Sequence, residues 1–449
     1  MSAEAYIPDA IAGSYPIRDG NRVLPMVGAG MFFLRLCDAV DAARHSVWVT
    51  VAFWDRKFLF PEGRGGLLDV LDRAVARGVD VRLLVWRPNA EATHHPIMFG
   101  GTAEHRDMLR QRDTRVKIRW DRAVDRYCQH QKSWVVDAGF PSETAFVGGA
   151  NLTARSYDRH HDIYLEVTGP SATDVHHNFV QRWNEASERE AEDGNWNCDA
   201  MNRLPFPAAA SAPQGASKVQ VQRMLHATRY FDGHPSPDGQ PFDVARGERS
   251  IAEQYVRAID AARRTIYLEN QAIPIMEIAL PLARALERGV DVVLLVPAKP
   301  EAYVFAARND PAERPRFEGV ELLGRHPNFL LAGIAGRDAR DPDPLYVHAK
   351  LMIVDDAWAT IGSCNLHAFS LNGHCEMNAS IWDRTVAHDL LRQLVSLRVG
   401  EDTASLDDRA ALRLYREVGD DNRRRMERCE PMREGLAVTL RPERYGLAG

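Results

Sequence analysis

Two stretches of this chain repeat one polar spacing. His130-Gln131-Lys132 leads through Ser133-Trp134-Val135-Val136 to Asp137, and His348-Ala349-Lys350 leads through Leu351-Met352-Ile353-Val354 to Asp355. Each is followed by a Gly-x-x-Asn run, Gly148-Gly149-Ala150-Asn151 or Gly362-Ser363-Cys364-Asn365, and then by an acid, Asp162 or Glu376. The apolar flanks predict strands, on which residues i and i+2 share a face, so the His and Lys of each copy point together. These types suit displacement at phosphorus. A phosphodiester is anionic and repels nucleophiles until its non-bridging oxygens are neutralised. Lys132 and Lys350 would supply compact charge, and Asn151 and Asn365 neutral donors. One imidazole would attack while neutral, and the other would give a proton to the leaving alcohol, which requires two different environments. Such a set needs no metal ion and no cofactor. Lysine is scarce here, with six in the whole chain, and two of them fall in these motifs.

The elements that must position these groups also come in duplicate. Ala39-Val40-Asp41-Ala42-Ala43-Arg44 and the apolar run from Val47 to Val51 recur as Ala258-Ile259-Asp260-Ala261-Ala262-Arg263 and Ile266 to Leu268. Next comes a helical pattern through Leu67, Leu68, Leu71, Ala74 and Val75 that ends at Arg77-Gly78; its second copy runs from Ile275 to Arg288-Gly289. Gly78 and Gly289 stand where a helix end needs positive φ. Strand-like Val81 to Val85 and Val292 to Val296 follow. Alternating strands and helices predict an α/β fold of two similar sandwich domains. Residues 205–217, rich in Pro and Ala, read as a linker between a first domain over 1–204 and a second over 218–449.

These motifs resemble those of the phospholipase D superfamily. Tyr127-Cys128-Gln129-His130-Gln131-Lys132 with Phe146-Val147-Gly148-Gly149-Ala150-Asn151-Leu152 is similar to the first catalytic motif of true phospholipases D. His161-Asp162 with Glu166-Val167-Thr168-Gly169-Pro170, Ile266 to Gln271, and Tyr346 to Asp356 resemble further family segments. The resemblance implies two α/β/α sandwich domains about a pseudo-twofold axis, with both motifs in one cleft at their interface. It implies hydrolysis or transphosphatidylation of a glycerophospholipid through a phosphohistidine, with His130 as nucleophile and His348 as acid. By the same analogy Asp162 would orient His130, Glu376 would orient His348, and Asp137 and Asp355 would tie strands to loops. Glu269, Asn270, Gln271, Gly149 and Ser363 are candidate substrate contacts. Trp358-Ala359-Thr360-Ile361-Gly362-Ser363-Cys364-Asn365-Leu366 also suggests a cardiolipin-synthase-type phosphatidyltransferase, and a nuclease could use the same catalytic set.

Composition narrows the partners. With 45% hydrophobic and 26% charged residues the chain reads as an ordinary folded protein. A net charge of −6 without a basic-aromatic stripe argues against nucleic acid. No apolar stretch is long enough to span a bilayer, so contact with phospholipid is expected to be peripheral. No cleavable signal peptide is evident, and six scattered cysteines suit free thiols, so a cytoplasmic or peripheral-membrane location is expected, with signal-independent export open. Both motifs in one chain predict a working monomer. The doublets His94-His95, His160-His161 and His176-His177 lack ligand spacing and read as surface or loop histidines, apart from the family match at His161. Gly28-Ala29-Gly30 reads as a turn, Arg423-Arg424-Arg425 as a solvated helix face, and Met98-Phe99 and Phe329-Leu330-Leu331 as core.

Overall fold

The computed structural model describes residues 6–89, 99–187, 195–196, 202–336 and 344–447. In the first half, strands Ser46–Val51, Asp80–Trp86 and Lys117–Asp121 run parallel, and all their residues but Asp80 and Lys117 are buried, as in a sheet covered on both faces. On the other side of Ser46–Val51 come antiparallel Ser133–Val136, Thr144–Gly148 and Ile163–Thr168. The second half repeats that order and sense. Thr265–Glu269, Asp291–Leu295 and Phe329–Ile334 are parallel, followed by antiparallel Leu351–Val354, Trp358–Gly362, Glu376–Trp382 and Ser217–Leu225. The expected fold of two like α/β halves is what the chain adopts. One strand joins them. Arg22–Val27 pairs with Ile163–Thr168, and the preceding residues of the same strand pair with Ser217–Leu225.

Helices cover these sheets where the apolar periodicity placed them. Leu67–Ala76 buries Leu67, Leu68, Leu71 and Ala74, and Met276–Glu287 buries Ile278, Leu282 and Leu286. Both end as expected, on Gly78 at φ +86° and Gly289 at φ +85°. Residues 205–216 form no helix or strand. The first described residues lie against the second half: Trp382 Nε1 donates to the Ile7 carbonyl at 2.7 Å, and Gln220 Nε2 to that of Ala10 at 2.9 Å.

One helix departs from expectation. His176 and His177, read as surface or loop residues, lie on Ala172–Asn184, whose every residue is buried. The helix is wedged between halves, so even its polar side chains need internal partners. His176 Nδ1 meets Glu143 at 2.8 Å, and Asn178 Nδ2 donates to Gln131 at 2.8 Å. Phe99 and Phe329-Leu330-Leu331 are core. Arg425 pairs with Asp421 at 2.8 Å on the solvated helix Asp408–Glu427. His94, His95, Met98 and Cys198 lie outside the described residues, among which Cys37, Cys128, Cys364, Cys375 and Cys429 are free thiols. No helix among the described residues is long and apolar enough to cross a membrane.

Candidate active site

His130 and Lys132 precede Ser133–Val136, and His348 and Lys350 precede Leu351–Val354, so each motif stands at the mouth of its own sheet. All four side chains are buried. Asp137 and Asp355 close the same strands from the far end. Both adopt φ +54°. Asp137 accepts backbone N–H groups of Arg44 at 2.9 Å and His45 at 2.7 Å, and Asp355 those of Arg263 at 2.8 Å and Arg264 at 2.8 Å. They tie strands to turns and stay away from the cleft.

The acids are exchanged between halves relative to expectation. His130 Nδ1–H donates to Glu376, 2.9 Å from both carboxylate oxygens, and His348 Nδ1–H donates to Asp162 at 2.6 Å. The assignment of Asp162 to His130 and Glu376 to His348 is therefore corrected. The cause is backbone pairing across the halves. Gln129 bridges Cys375 in parallel, and Tyr346-Val347 pairs in parallel with His160-His161. Each motif thus runs beside the segment that leads to the other half's acid. Since a carboxylate only accepts, the proton on each ring sits on Nδ1 and Nε2 keeps a free lone pair.

Behind each acid the halves differ. Glu376 also accepts from Ser363 Oγ at 2.5 Å and Ser370 Oγ at 2.6 Å, whereas Asp162 accepts from its neighbour's Ile163 N–H at 2.9 Å. A Cβ at Gly149 would lie 2.5 Å from Asp162 Oδ1 and 3.2 Å from Lys350 Cδ, so glycine is what lets these two groups meet. Gly149 and Ser363 thus seat the carboxylates. Burial raises the Glu376 carboxyl, while for Asp162 the neighbouring His348 overcomes burial and lowers it. Burial, then the lysine charges, hold His130 far below its usual value and His348 at about 3. Burial brings Lys132 down to about 8 and Lys350 to about 7. Lys132 Nζ donates to its own motif's His130 carbonyl at 2.7 Å, and Lys350 likewise to that of His348.

Asn151 lines a hollow with Lys132 and Phe53. Asn151 Oδ1 and Asn365 Oδ1 are both buried without a hydrogen-bond partner, a matched pair of open valences, one from each half. Of the three residues expected at a substrate-contacting turn, only Gln271 bonds a side chain of either motif, accepting from Lys350 Nζ at 3.2 Å. Glu269 is turned inward, bound by His161 Nε2 at 2.7 Å and Tyr267 Oη at 2.7 Å, and Asn270 caps its own turn through Ala272 N–H at 3.0 Å. Sequence reasoning missed Ser370, and it missed that His160 and His374 sit beside the motif histidines. Their common offset, two residues before each acid, was the available signal.

The repeat seen in the fold is also the unit that family comparison detects. A family model described as "Cardiolipin synthase, PLD-like domain" matches residues 36–183 and 255–398, and one described as "Phospholipase D" matches 158–274. The chain belongs to the phospholipase D-like family. Each matched repeat holds one His-x-Lys motif, one Gly-x-x-Asn run and one of the two acids that bond the motif histidines. Among similar proteins, phospholipase D A of Dictyostelium discoideum is 24% identical over 453 residues, 80% of this chain and 32% of that protein. Phospholipase D alpha 2 of Oryza sativa subsp. japonica is 25% identical over 515 residues, 82% of this chain and 61% of that one. The chain thus spans less than two thirds of the length of these phospholipases D. The solved structure of phosphatidylserine synthase from Haemophilus influenzae Rd KW20 shares the fold, with a TM-score of 0.58 at 14% identity, covering 89% of this chain and 90% of that one.

Proposed function

We propose that this protein is a phospholipase D-type phosphodiesterase that hydrolyses or exchanges glycerophospholipid head groups through a phosphohistidine. The observation that carries this reading is the crossed pair of imidazoles, His130 on Glu376 and His348 on Asp162, each beside a buried lysine. Lys132, Lys350, Asn151 and Asn365 surround the phosphoryl oxygens and stabilise the charge that develops on them. His130 Nε2 attacks phosphorus, and the leaving alcohol takes a proton from His348. Water or a second alcohol, deprotonated by His348, then releases the phosphatidyl group. The unequal acids support this order. Glu376 divides its charge among His130 and two serines, which leaves His130 neutral and nucleophilic, whereas Asp162 gives His348 one short bond that favours the imidazolium once an anionic substrate offsets the lysines. The protein acts as a monomer on lipid presented at a membrane surface.

The test is incubation with phosphatidylcholine and a primary alcohol in the presence of a chelator. Phosphatidyl-alcohol should form, a phosphoryl label should be trapped on His130, and His130→Ala or His348→Ala should each abolish turnover. DNA cleavage without lipid turnover would overturn the lipid assignment, and label on His348 would reverse the two roles. A phosphatidyltransferase of the cardiolipin-synthase kind is the second reading, favoured by the description of the model that matches both repeats. It predicts that phosphatidylglycerol outcompetes water and simple alcohols as acceptor.

A further inference from the structure

The two sides of the cleft are furnished differently. His367 follows Asn365 by two residues, as Thr153 follows Asn151, and both cap the N-terminus of a short helix. Thr153 accepts from Ser156 N–H at 3.3 Å, and His367 Nδ1 accepts from Ser370 N–H at 3.1 Å. Ser, Thr, Asp and Asn are the residues that cap well. A histidine there does the same task with a larger ring, whose second nitrogen projects beyond the cap. Because Nδ1 is an acceptor, the proton of neutral His367 sits on Nε2.

His374 repeats the device. Its Nδ1 accepts from Cys128 N–H at 3.1 Å, so its proton also sits on Nε2. Its ring lies 5.8 Å from that of His130, 5.9 Å edge-on from His367 and 5.8 Å, stacked, from Phe369. Tyr127 meets it edge-on at 6.0 Å. Tyr127, His367, Phe369 and His374 are all partly exposed. Neither Nε2 meets an acceptor on any other described residue. Burial keeps both rings neutral, His367 at about 4 and His374 far below its usual value. Across the cleft His160, the counterpart of His374, stacks on His348 at 5.1 Å and 17°, with Nδ1 buried and unpartnered. Oriented, uncharged N–H donors set among aromatic faces therefore stand on the His130 side.

We infer that His367 and His374 hold the retained phosphatidyl arm of the substrate, their Nε2–H groups donating to the ester carbonyls of the acyl-glycerol backbone. This rests on the lipid reading above. In-line attack by His130 sends the head group away from His130, so what lies beside this wall is the arm that stays on phosphorus. That arm is apolar with neutral carbonyl acceptors. Uncharged N–H donors between aromatic rings match it, whereas a charged donor would be costly to desolvate there.

The test compares short-chain diacyl and dialkyl-ether phospholipids with one head group, because the ethers lack the carbonyls. The wild type should favour the diacyl lipid in kcat/KM. His367→Asn keeps a capping acceptor but loses the projecting donor. It and His374→Phe should each cut the diacyl-to-dialkyl ratio by about three- to tenfold, the effect of one neutral hydrogen bond. Thermal unfolding identifies any variant that does not fold, and His367→Asn, which retains the cap, decides the matter if His374→Phe does not. A wild type that turns over both lipids equally, or a ratio unchanged in the variants, would overturn this assignment alone. Cleavage of a soluble aryl phosphodiester with turnover of neither lipid would overturn the lipid reading and this assignment with it.

Discussion

Lys132 and Lys350 stand where burial makes their charge costly to the fold. Unfolded, a lysine titrates near 10.4; here burial brings Lys132 to about 8 and Lys350 to about 7. Between pH 7 and 10 the unfolded chain therefore binds more protons than the native one, and stability rises with pH across that window. Lys350→Met removes the penalty. It should be inactive, yet more stable than the wild type at pH 7 by on the order of a few kcal/mol. Urea unfolding at pH 7 and pH 9 checks this: the wild-type gain between the two should shrink in the variant, and a variant less stable at pH 7 would contradict it. The exchanged acids give a second prediction. Glu376→Gln leaves His130 without its carboxylate, so kcat should fall at least about a hundredfold, as for other oriented imidazoles. Histidine ring-proton NMR should then show the His130 Nδ1–H resonance displaced and that of His348 retained. The opposite pattern would contradict the crossed pairing.

At the scale of elements, the sequence carried the strands and the covering helices, because these follow from local period. Gly78 and Gly289 were legible for the same reason: helix ends have local geometry. The pairing of histidine with acid was not. It depends on the Gln129–Cys375 bridge and on strand pairing at His160-His161, which join residues far apart along the chain. Repeat symmetry suggests an acid from the same half, and only the way the halves dock selects the other. Ala172–Asn184 hid its burial in a related way. Asn178, Gln181 and Arg182 mark what is ordinarily a solvent face, but here that face meets the second half, where Arg223 donates to Gln181 at 2.8 Å. Polar residues on a helix report an aqueous neighbour only when no partner waits across an interface.

At the scale of the whole molecule, each motif histidine bonds an acid of the other half, so under the proposed mechanism docking and catalysis are linked. The dock includes a buried charge cluster. Asp121, at the end of a first-half strand, accepts from Arg182 Nη2 at 3.2 Å and from Arg229 of the second half. Arg229 Nε also donates to the Arg122 carbonyl at 3.0 Å, and Gln129 Nε2 donates to that same oxygen at 3.2 Å, one residue before His130. Asp121→Ala leaves two buried guanidinium groups uncompensated, which should cost about 3–5 kcal/mol. Because cross-half strands and this cluster bind the halves together, the wild type should unfold in one calorimetric transition. In the variant that transition should move to lower temperature, and kcat should fall under conditions where the protein is still folded, since the backbone entering His130 has lost its anchor. A loss of stability below about 1 kcal/mol, the range of exposed ion pairs, would show that the cluster does not join the halves.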